Sequence, residues 1–310
     1  MGKSAYIFPG QGSQAVGMGK DLFDNFAAAR EVFEAADDAL EFSLSELCFS
    51  GDEAELQLTA NTQPAILTTS VAAYHAAMAE GLPEPDYVAG HSLGEYSALV
   101  AAGVLDFADA VQTVRKRGTY MQEAVPVGVG AMAAILGLDI AQVDAGCAEA
   151  AQGQVCSPAN INSPSQVVIA GNSEAVDRAC EILKEKGAKR AIRLNVSAPF
   201  HCALMMPAQL RLATDLAALE YGDFAFPILH NVDAEASNDA AAVCDKLSRQ
   251  VSSPVRWLPT IENMAAEGVD RFIEIGPGKV LTGLVRQINR EAAYANVENT
   301  DSLRNTLETL

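Results

Sequence analysis

The stretch Gly90-His91-Ser92-Leu93-Gly94 decides the fold class of this chain. It follows an apolar run, Tyr87-Val88-Ala89, and precedes a helix-forming run over 95–102, so we expect a strand that turns sharply into a helix. Such an elbow lifts the hydroxyl of Ser92 clear of the backbone and puts it at a helix start, where free N–H groups stabilise negative charge. The stretch therefore predicts a nucleophilic serine. The alternative is a tight turn that happens to contain a serine.

Strand and helix patterns alternate on both sides of this elbow. Apolar runs at 5–8, 87–89, 227–231 and 271–275 are typical of buried strands, and helical patterns separate each run from the next. Strands that are connected through helices form a parallel or mostly parallel sheet. We therefore predict an α/β protein with a hydrolase-like, mostly parallel sheet flanked by helices.

Residues 127 to 198 interrupt this alternation with a different order of elements. A strand and a helix are followed by a hairpin around Ser163-Pro164-Ser165, a second helix and a last strand. This βαββαβ order is the ferredoxin-like arrangement. The sequence therefore predicts a large α/β catalytic subdomain over residues 1–126 and 199–310, and a small ferredoxin-like subdomain over residues 127–198 inserted into it.

Composition limits the possible partners. The chain has 310 residues, 49% of them hydrophobic, and a formal net charge of −19. An acidic surface repels nucleic acids and anionic membranes, so neither is expected as a partner. The six cysteines lie neither in C-x-x-C pairs nor at metal-ligand spacing, which predicts reduced thiols and no metal site. With no signal peptide or membrane-spanning apolar run, we expect a cytoplasmic protein. The lack of an evident coiled coil or swapped tail favours a monomer.

A nucleophilic serine needs a base, and the chain has four histidines. His201 lies in a loop just before a helix and just after the predicted insertion, where active-site residues are common. His230 ends a predicted strand and is the second candidate. His75 lies in the middle of a helix, where a packed or surface role is expected. His91 adjoins Ser92, but neighbouring side chains on an elbow point apart, so we expect it to support the turn.

An acyl-transfer site also needs two N–H donors for the developing oxyanion. The backbone N–H of Leu93 is one, because it follows the serine. The glycine-containing loop over 8–14 is the expected source of the other, since glycine lets backbone amides approach a ligand closely. A dinucleotide-binding loop is the competing interpretation, because Gly10-x-Gly12-x-x-Ala15 nearly fits it. No second strand with a terminal acidic residue follows, which weakens that interpretation.

Arg115-Lys116-Arg117 lies on the helix that follows the elbow helix. Residues 115 and 117 point to different faces of that helix, so at most one of them enters a site on a given side. Two interpretations stay open at this point. The segment is either a solvated basic face or it provides a clamp for a substrate carboxylate.

Five motifs occur together in an order and spacing that cover essentially the whole chain, and with them the sequence resembles bacterial malonyl-CoA:acyl carrier protein transacylases. The acyltransferase domains of fatty-acid and polyketide synthases share the same pattern. The motifs are Phe8-Pro9-Gly10-Gln11-Gly12-Ser13-Gln14, Gly90-His91-Ser92-Leu93-Gly94-Glu95, Arg115-Lys116-Arg117-Gly118, Pro199-Phe200-His201 and Glu274-Ile275-Gly276-Pro277-Gly278.

The resemblance implies roles for individual residues. Ser92 would be the acylated nucleophile and His201 its base. The backbone N–H groups of Gln11 and Leu93 would form the oxyanion hole. In this family a main-chain carbonyl near a glutamine orients the histidine, and Gln250 in Arg249-Gln250-Val251 matches that position.

The resemblance further implies that Arg117 pairs with the malonyl carboxylate. Malonyl-CoA and acyl carrier protein would be the substrates, no cofactor would be needed, and the product would supply fatty-acid elongation. Several stand-alone members have serine before the histidine, whereas Phe200 stands here, as in malonyl-selective synthase domains. Alternatives are a polyketide-type acyltransferase, a serine hydrolase or thioesterase that shares the elbow, and a non-catalytic module that binds carrier protein.

Carrier proteins of this kind are small and strongly acidic, so docking on this acidic chain needs a basic patch. Residues 184–190 form the densest one, with Lys279 and Arg286 as alternatives. A competing interpretation of the same patch is a helix end enriched in cations that match the helix dipole.

Overall fold

The computed structural model describes residues 2–196 and 198–309, so Met1, Ser197 and Leu310, which belong to the predicted subdomain ranges, lie outside the described residues. The strands are β1 Lys3–Phe8, β2 Tyr87–Gly90, β3 Gly130–Leu136, β4 Cys156–Ser163, β5 Gln166–Asn172, β6 Arg190–Arg193, β7 Ile228–Leu229, β8 Ala236–Ser237, β9 Val269–Ile275 and β10 Ala293–Val297. The helices are α1 Lys20–Asn25, α2 Ala27–Leu40, α3 Leu44–Ser50, α4 Glu53–Gln57, α5 Thr59–Ala79, α6 Gly94–Ala101, α7 Phe107–Glu123, α8 Ile140–Ala151, α9 Ser173–Glu185, α10 Met206–Leu216, α11 Ala240–Gln250, α12 Trp257–Ala266, α13 Val280–Ile288 and α14 Thr300–Thr309, with a 3₁₀ turn at Ala203–Met205.

The larger sheet has the strand order β10-β9-β1-β2-β7-β8. Every neighbouring pair is parallel except β7 and β8. Its central strand β1 is apolar on both faces, because Tyr6 and Phe8 pack into one core while Ala5 and Ile7 pack into the other. The prediction of a mostly parallel sheet flanked by helices is thus confirmed.

The smaller sheet has the order β4-β5-β3-β6 with antiparallel neighbours throughout. Helices α8 and α9 pack against it around a core that includes Ile135, Val143 and Val176. The order β3-α8-β4-β5-α9-β6 is the βαββαβ arrangement that the sequence predicted, and the bounds of the two subdomains stay a prediction. The N–H of Ile161 on β4 donates to Val255 O at 2.8 Å, which ties the small sheet to the chain just before α12.

Some elements differ from their sequence-based expectations. The strand expected over 227–231 is shortened to Ile228–Leu229, because His230 and Asn231 turn away from the sheet to bind Glu95. Strands β8 and β10 extend the sheet at both edges and were not expected. No helix within residues 2–196 and 198–309 has both the length and the apolar character that crossing a lipid bilayer requires.

Candidate active site

Strand β2 ends at Gly90 and α6 begins at Gly94, with Ser92 at the apex of the turn between them. Ser92 has a φ of 52°, in the left-handed region that non-glycine residues rarely occupy. The two glycines are required by space. A Cβ at Gly90 would lie 1.9 Å from the backbone of Gly94, and one at Gly94 would lie 2.0 Å from Phe8 O. The elbow predicted from the sequence is therefore present, and its small residues have a steric cause.

Ser92 and His201 meet although 109 residues separate them, and their Oγ and Nε2 atoms are 2.7 Å apart. His201 comes just before the 3₁₀ turn, has a φ of 59° and is buried. Its other ring nitrogen, Nδ1, lies 2.9 Å from the main-chain oxygen of Gln250 at the end of α11. A carbonyl only accepts hydrogen bonds, so Nδ1 carries the proton and Nε2 presents a lone pair to the serine hydroxyl.

The surroundings of His201 keep its ring neutral. Burial, and after it the Arg117 guanidinium, lower the pKa of His201 from 6.5 to about 3. Both disfavour the charged imidazolium, the first through desolvation and the second through repulsion. At neutral pH His201 is thus ready to accept a proton from Ser92.

Arg117 projects from α7 into the same site and is 1% exposed. Its Nη1 donates to Gln63 Oε1 at 2.8 Å, and its Nη2 donates to Gln250 Oε1 at 2.8 Å and to Ser92 Oγ at 3.0 Å. All three acceptors are uncharged. No carboxylate lies within ion-pair distance of this guanidinium in the part of the chain that the structure describes. The buried positive charge beside Ser92 thus has no anionic partner of its own.

The other two cations of this segment face elsewhere, which agrees with the prediction that at most one of Arg115 and Arg117 enters the site. Arg115 stacks over the ring of Phe42 at 4.1 Å, and Lys116 forms an ion pair of 2.7 Å with Asp215. Lys116 is thus exposed, as the solvated-face interpretation expects, Arg115 is half-buried against Phe42, and Arg117 is buried at the site.

Gln11 and Leu93 line the same cavity as Ser92, and its volume is about 120 Å³. Among the described residues, the backbone N–H of neither residue donates to a protein acceptor. These are the two donors that the sequence proposed for an oxyanion. The remaining wall is largely apolar and includes Met121, Met132, Leu194, Val196 and Phe200.

The other three histidines have different partners. His230 Nδ1 lies 2.7 Å from Glu95 Oε1, and His91 Nε2 lies 2.9 Å from Asn162 Oδ1 on β4. His75 lies on α5, with its ring against Tyr74. Of the two candidates that sequence reasoning left open, His201 is thus the one that contacts Ser92. The side chain of His91 binds β4, and its expected support of the turn stays a prediction.

Sequence reasoning missed a buried polar network under the elbow. Glu95, Asn231 and the side chain of Gln250 are joined by hydrogen bonds of 2.8 to 3.0 Å that also reach the backbone of Ser92. The signal was available, because Glu95 is the one charged residue in α6. A lone carboxylate there has to be buried with partners or turned out to solvent.

Known proteins resemble this chain over its full length. The acyl transferase domain family matches residues 5–303. The malonyl CoA-acyl carrier protein transacylase of Bacillus subtilis is 50% identical over 100% of this chain and 98% of its own length. The protein of the same name from Escherichia coli K12 is 52% identical over 93% of each chain.

Solved structures agree with these relatives. The malonyl CoA-acyl carrier protein transacylase of Coxiella burnetii superposes with a TM-score of 0.98 at 45% identity and covers 100% of this chain and 98% of its own. A malonyl-transacylase in complex with a type II PKS acyl-carrier protein gives 0.97 at 49% identity, over 99% and 100% of the two chains. The resemblance drawn from the five motifs is confirmed, and the chain belongs to the malonyl CoA-acyl carrier protein transacylases within the acyl transferase domain family.

Proposed function

We propose that this chain transfers a malonyl group from malonyl-CoA to the phosphopantetheine thiol of acyl carrier protein, through a malonyl ester on Ser92. The observation that carries the proposal is the buried guanidinium of Arg117, which has no carboxylate partner among the described residues. It lies 3.0 Å from the hydroxyl of Ser92, which is hydrogen-bonded to the neutral His201. The serine and histidine supply acyl transfer, and the guanidinium supplies recognition of a carboxylate. The names of its relatives agree with both parts.

The first half-reaction forms the ester. His201 Nε2 takes the proton of the Ser92 hydroxyl while Oγ attacks the thioester carbon of malonyl-CoA. The carbonyl oxygen becomes an oxyanion that the backbone N–H groups of Gln11 and Leu93 stabilise, with a loss of about 3–4 kcal/mol expected for each donor removed. Collapse of this intermediate breaks the C–S bond, and the coenzyme A thiolate leaves with the proton from His201.

The second half-reaction runs the same steps with another thiol. His201 takes the proton from the phosphopantetheine thiol, whose sulfur attacks the ester carbon. The same two N–H groups stabilise the second oxyanion. The C–O bond to Ser92 then breaks, and the imidazolium of His201 returns its proton to Oγ. We propose this ping-pong order because one nucleophile, one base and one oxyanion site serve both substrates in turn. These residues supply every proton transfer, so the proposed reaction requires no cofactor.

Arg117 provides the selectivity in this scheme. The malonyl carboxylate is one methylene away from the carbonyl that Ser92 attacks, and Arg117 already contacts Oγ, so the guanidinium reaches the carboxylate of the bound acyl group. A site built for a carboxylate leaves a poorly compensated charge when an acetyl group enters. A second cavity of about 370 Å³ shares Gln11, His91 and Asn160 with the first, and we propose that the thioester arm enters through it.

The acidic carrier protein requires a basic surface, and we propose Lys189 and Arg190 at the start of β6. Both are exposed, and no ion pair occupies either of them in the part of the chain that the structure describes. The alternative cations are engaged, since Lys279 pairs with Glu298 at 3.1 Å and Arg286 stacks on Tyr294.

We further propose a cytoplasmic monomer that supplies malonyl groups for fatty-acid elongation. The unpaired cysteines agree with a reducing compartment. A polyketide-type acyltransferase is the second candidate, because one solved relative was captured with a type II PKS acyl-carrier protein. Assays with fatty-acid and polyketide carrier proteins distinguish the two.

Intact mass after incubation with malonyl-CoA tests the central claim. The wild-type chain should gain one malonyl group, and S92A should gain none. Addition of holo acyl carrier protein should remove the group and transfer it to the carrier. A chain that gains no malonyl group, or whose adduct decays in water as fast as it does with the carrier thiol, would contradict transfer and favour a hydrolase.

A further inference from the structure

Glu95 has no role in the reaction described above, although it is fully buried directly beneath the elbow. Its carboxylate accepts three hydrogen bonds. Oε1 accepts from His230 Nδ1 at 2.7 Å, while Oε2 accepts from the backbone N–H of Asn231 at 3.0 Å and from Gln250 Nε2 at 2.8 Å. A buried carboxylate with this many donors is firmly held, and whatever it binds is held with it.

One branch of this network leads to the nucleophile. Asn231, fixed by Glu95, accepts the N–H of Ser92 on Oδ1 at 2.7 Å and donates through Nδ2 to Gly90 O at 2.7 Å. These two bonds hold the backbone at the apex of the elbow, where Ser92 has its left-handed φ. A backbone in this region persists only when its surroundings restrain it.

The other branch leads to the guanidinium. Gln250 Nε2 donates to Glu95 and also to Ser92 O at 2.9 Å, so both amide hydrogens are engaged. The amide oxygen therefore faces the other way and accepts from Arg117 Nη2 at 2.8 Å. The main-chain oxygen of the same glutamine accepts from His201. Gln250, which Glu95 holds in place, thus contacts Ser92, His201 and Arg117.

The amide of Gln250 also keeps Glu95 and Arg117 from pairing directly. A direct ion pair would neutralise the charge that a malonyl carboxylate has to meet. The intervening amide lets the carboxylate fix the position of the guanidinium and leaves its charge available to substrate. The arrangement explains how a buried arginine is held in place by uncharged acceptors alone.

We propose that Glu95 is a positioning residue. It fixes the Arg117 guanidinium through Gln250 and the Ser92 elbow through Asn231, and it thereby supports discrimination for malonyl over acetyl groups. The inference rests on the proposed function. A residue that merely stabilised the elbow would change the melting temperature and the acylation rate of both donors alike. A residue that positions Arg117 changes the ratio of kcat/KM for malonyl-CoA to that for acetyl-CoA.

The test compares E95A and E95Q with wild type. Glutamine keeps an oxygen to accept from Gln250, and His230 can exchange the ring nitrogen that carries its proton, so E95Q should retain the malonyl-to-acetyl ratio within about threefold. In E95A that ratio should fall by at least tenfold. E274A is the matched control, because Glu274 is equally buried but accepts the N–H groups of Leu281 and Thr282 on α13. It should lose stability and keep the ratio.

A double-mutant cycle makes the result specific. Q250M retains the main-chain carbonyl but removes the amide, so it should lower the ratio as E95A does, and the double variant should lose little more than either single one. If E95A does not fold, E95M, which fills the same space without an acceptor, takes its place in the cycle. A folded E95A or E95M with the wild-type ratio, or fully multiplicative losses, would overturn the proposal. Failure of the proposed function is a separate outcome, because the wild-type chain would then form no malonyl adduct.

Discussion

Replacement of Arg117 by alanine should lower malonyl transfer far more than acetyl transfer. In the wild-type site the guanidinium is buried, bonded to neutral acceptors and adjacent to the serine hydroxyl. The carboxylate of the incoming malonyl group would therefore have Arg117 as its charged partner. In R117A the malonyl carboxylate enters a largely apolar cavity of about 120 Å³ without that partner.

The magnitude follows from what a buried, hydrogen-bonded charge pair is worth. Truncation of one partner of such a pair costs about 2–5 kcal/mol, which corresponds to about 30-fold to several thousandfold in kcat/KM. Because both carboxylate and guanidinium are desolvated here, we expect a loss of at least ~100-fold with malonyl-CoA. The acetyl group has no carboxylate, so its kcat/KM should change by less than about tenfold, the part that follows from the altered surroundings of His201.

Single-turnover acylation of Ser92, followed by quenched intact mass with each donor, measures both constants. R115A is the control, since Arg115 lies on the same helix but stacks on Phe42 outside the site. A second readout is the acid limb of the pH profile. Arg117 helps to depress the pKa of His201, so the limb should move to higher pH in R117A. Equal losses with both donors would refute the carboxylate clamp.

Three further perturbations test other parts of the structure. Burial holds the pKa of His201 at about 3 in the folded chain against 6.5 when unfolded, so below pH 6.5 the unfolded state binds the extra proton. The stability contribution is thus complete above pH 6.5 and is lost as pH falls, by about 2 kcal/mol between pH 8 and pH 5. The free energy of unfolding of H201Q, measured with urea, should therefore depend less steeply on pH than that of wild type. An unchanged slope would rule out this assignment. Charge reversal in K189E/R190E should raise the KM for carrier protein several-fold and leave that for malonyl-CoA unchanged, whereas an unaltered carrier KM would move docking elsewhere. A Cβ at Gly94 would lie 2.0 Å from Phe8 O, whereas a Cβ at Gly283 on α13 would meet nothing within 4 Å. G94A should therefore unfold at a clearly lower urea concentration than the control G283A, and similar midpoints would show that the elbow can adapt.

The central sheet and the elbow could be predicted from the sequence because each depends on local pattern. Apolar runs such as Ala5 to Phe8 predict strands that are buried on both faces. Gly90 and Gly94 are required by close contacts of the turn with itself and with the neighbouring strand β1. Strands β8 and β10 carry no such pattern. Both lie at sheet edges, where one side is unpaired and burial does not select apolar residues at every position.

The candidate site was predictable where residue type carries the chemistry. Ser92, His201 and Arg117 were proposed from their motifs, and the structure brings the three together. The contact of His201 with Gln250 uses a main-chain carbonyl, which every residue has, so only the resemblance pointed to that position. Glu95 was overlooked because an acidic residue in the first turn of a helix is ordinarily explained by the helix dipole.

Both reacting side chains are attached to backbone that a natural L-residue disfavours, with φ of 52° at Ser92 and 59° at His201. At position 92, where only a small side chain is lost, glycine would relieve a cost of about 1 kcal/mol or more, so S92G should melt at a higher temperature than wild type while forming no ester. A search for higher heat resistance that is guided by melting temperature alone would therefore favour an inert variant at position 92. Directed evolution of this scaffold has to select on turnover from the first round.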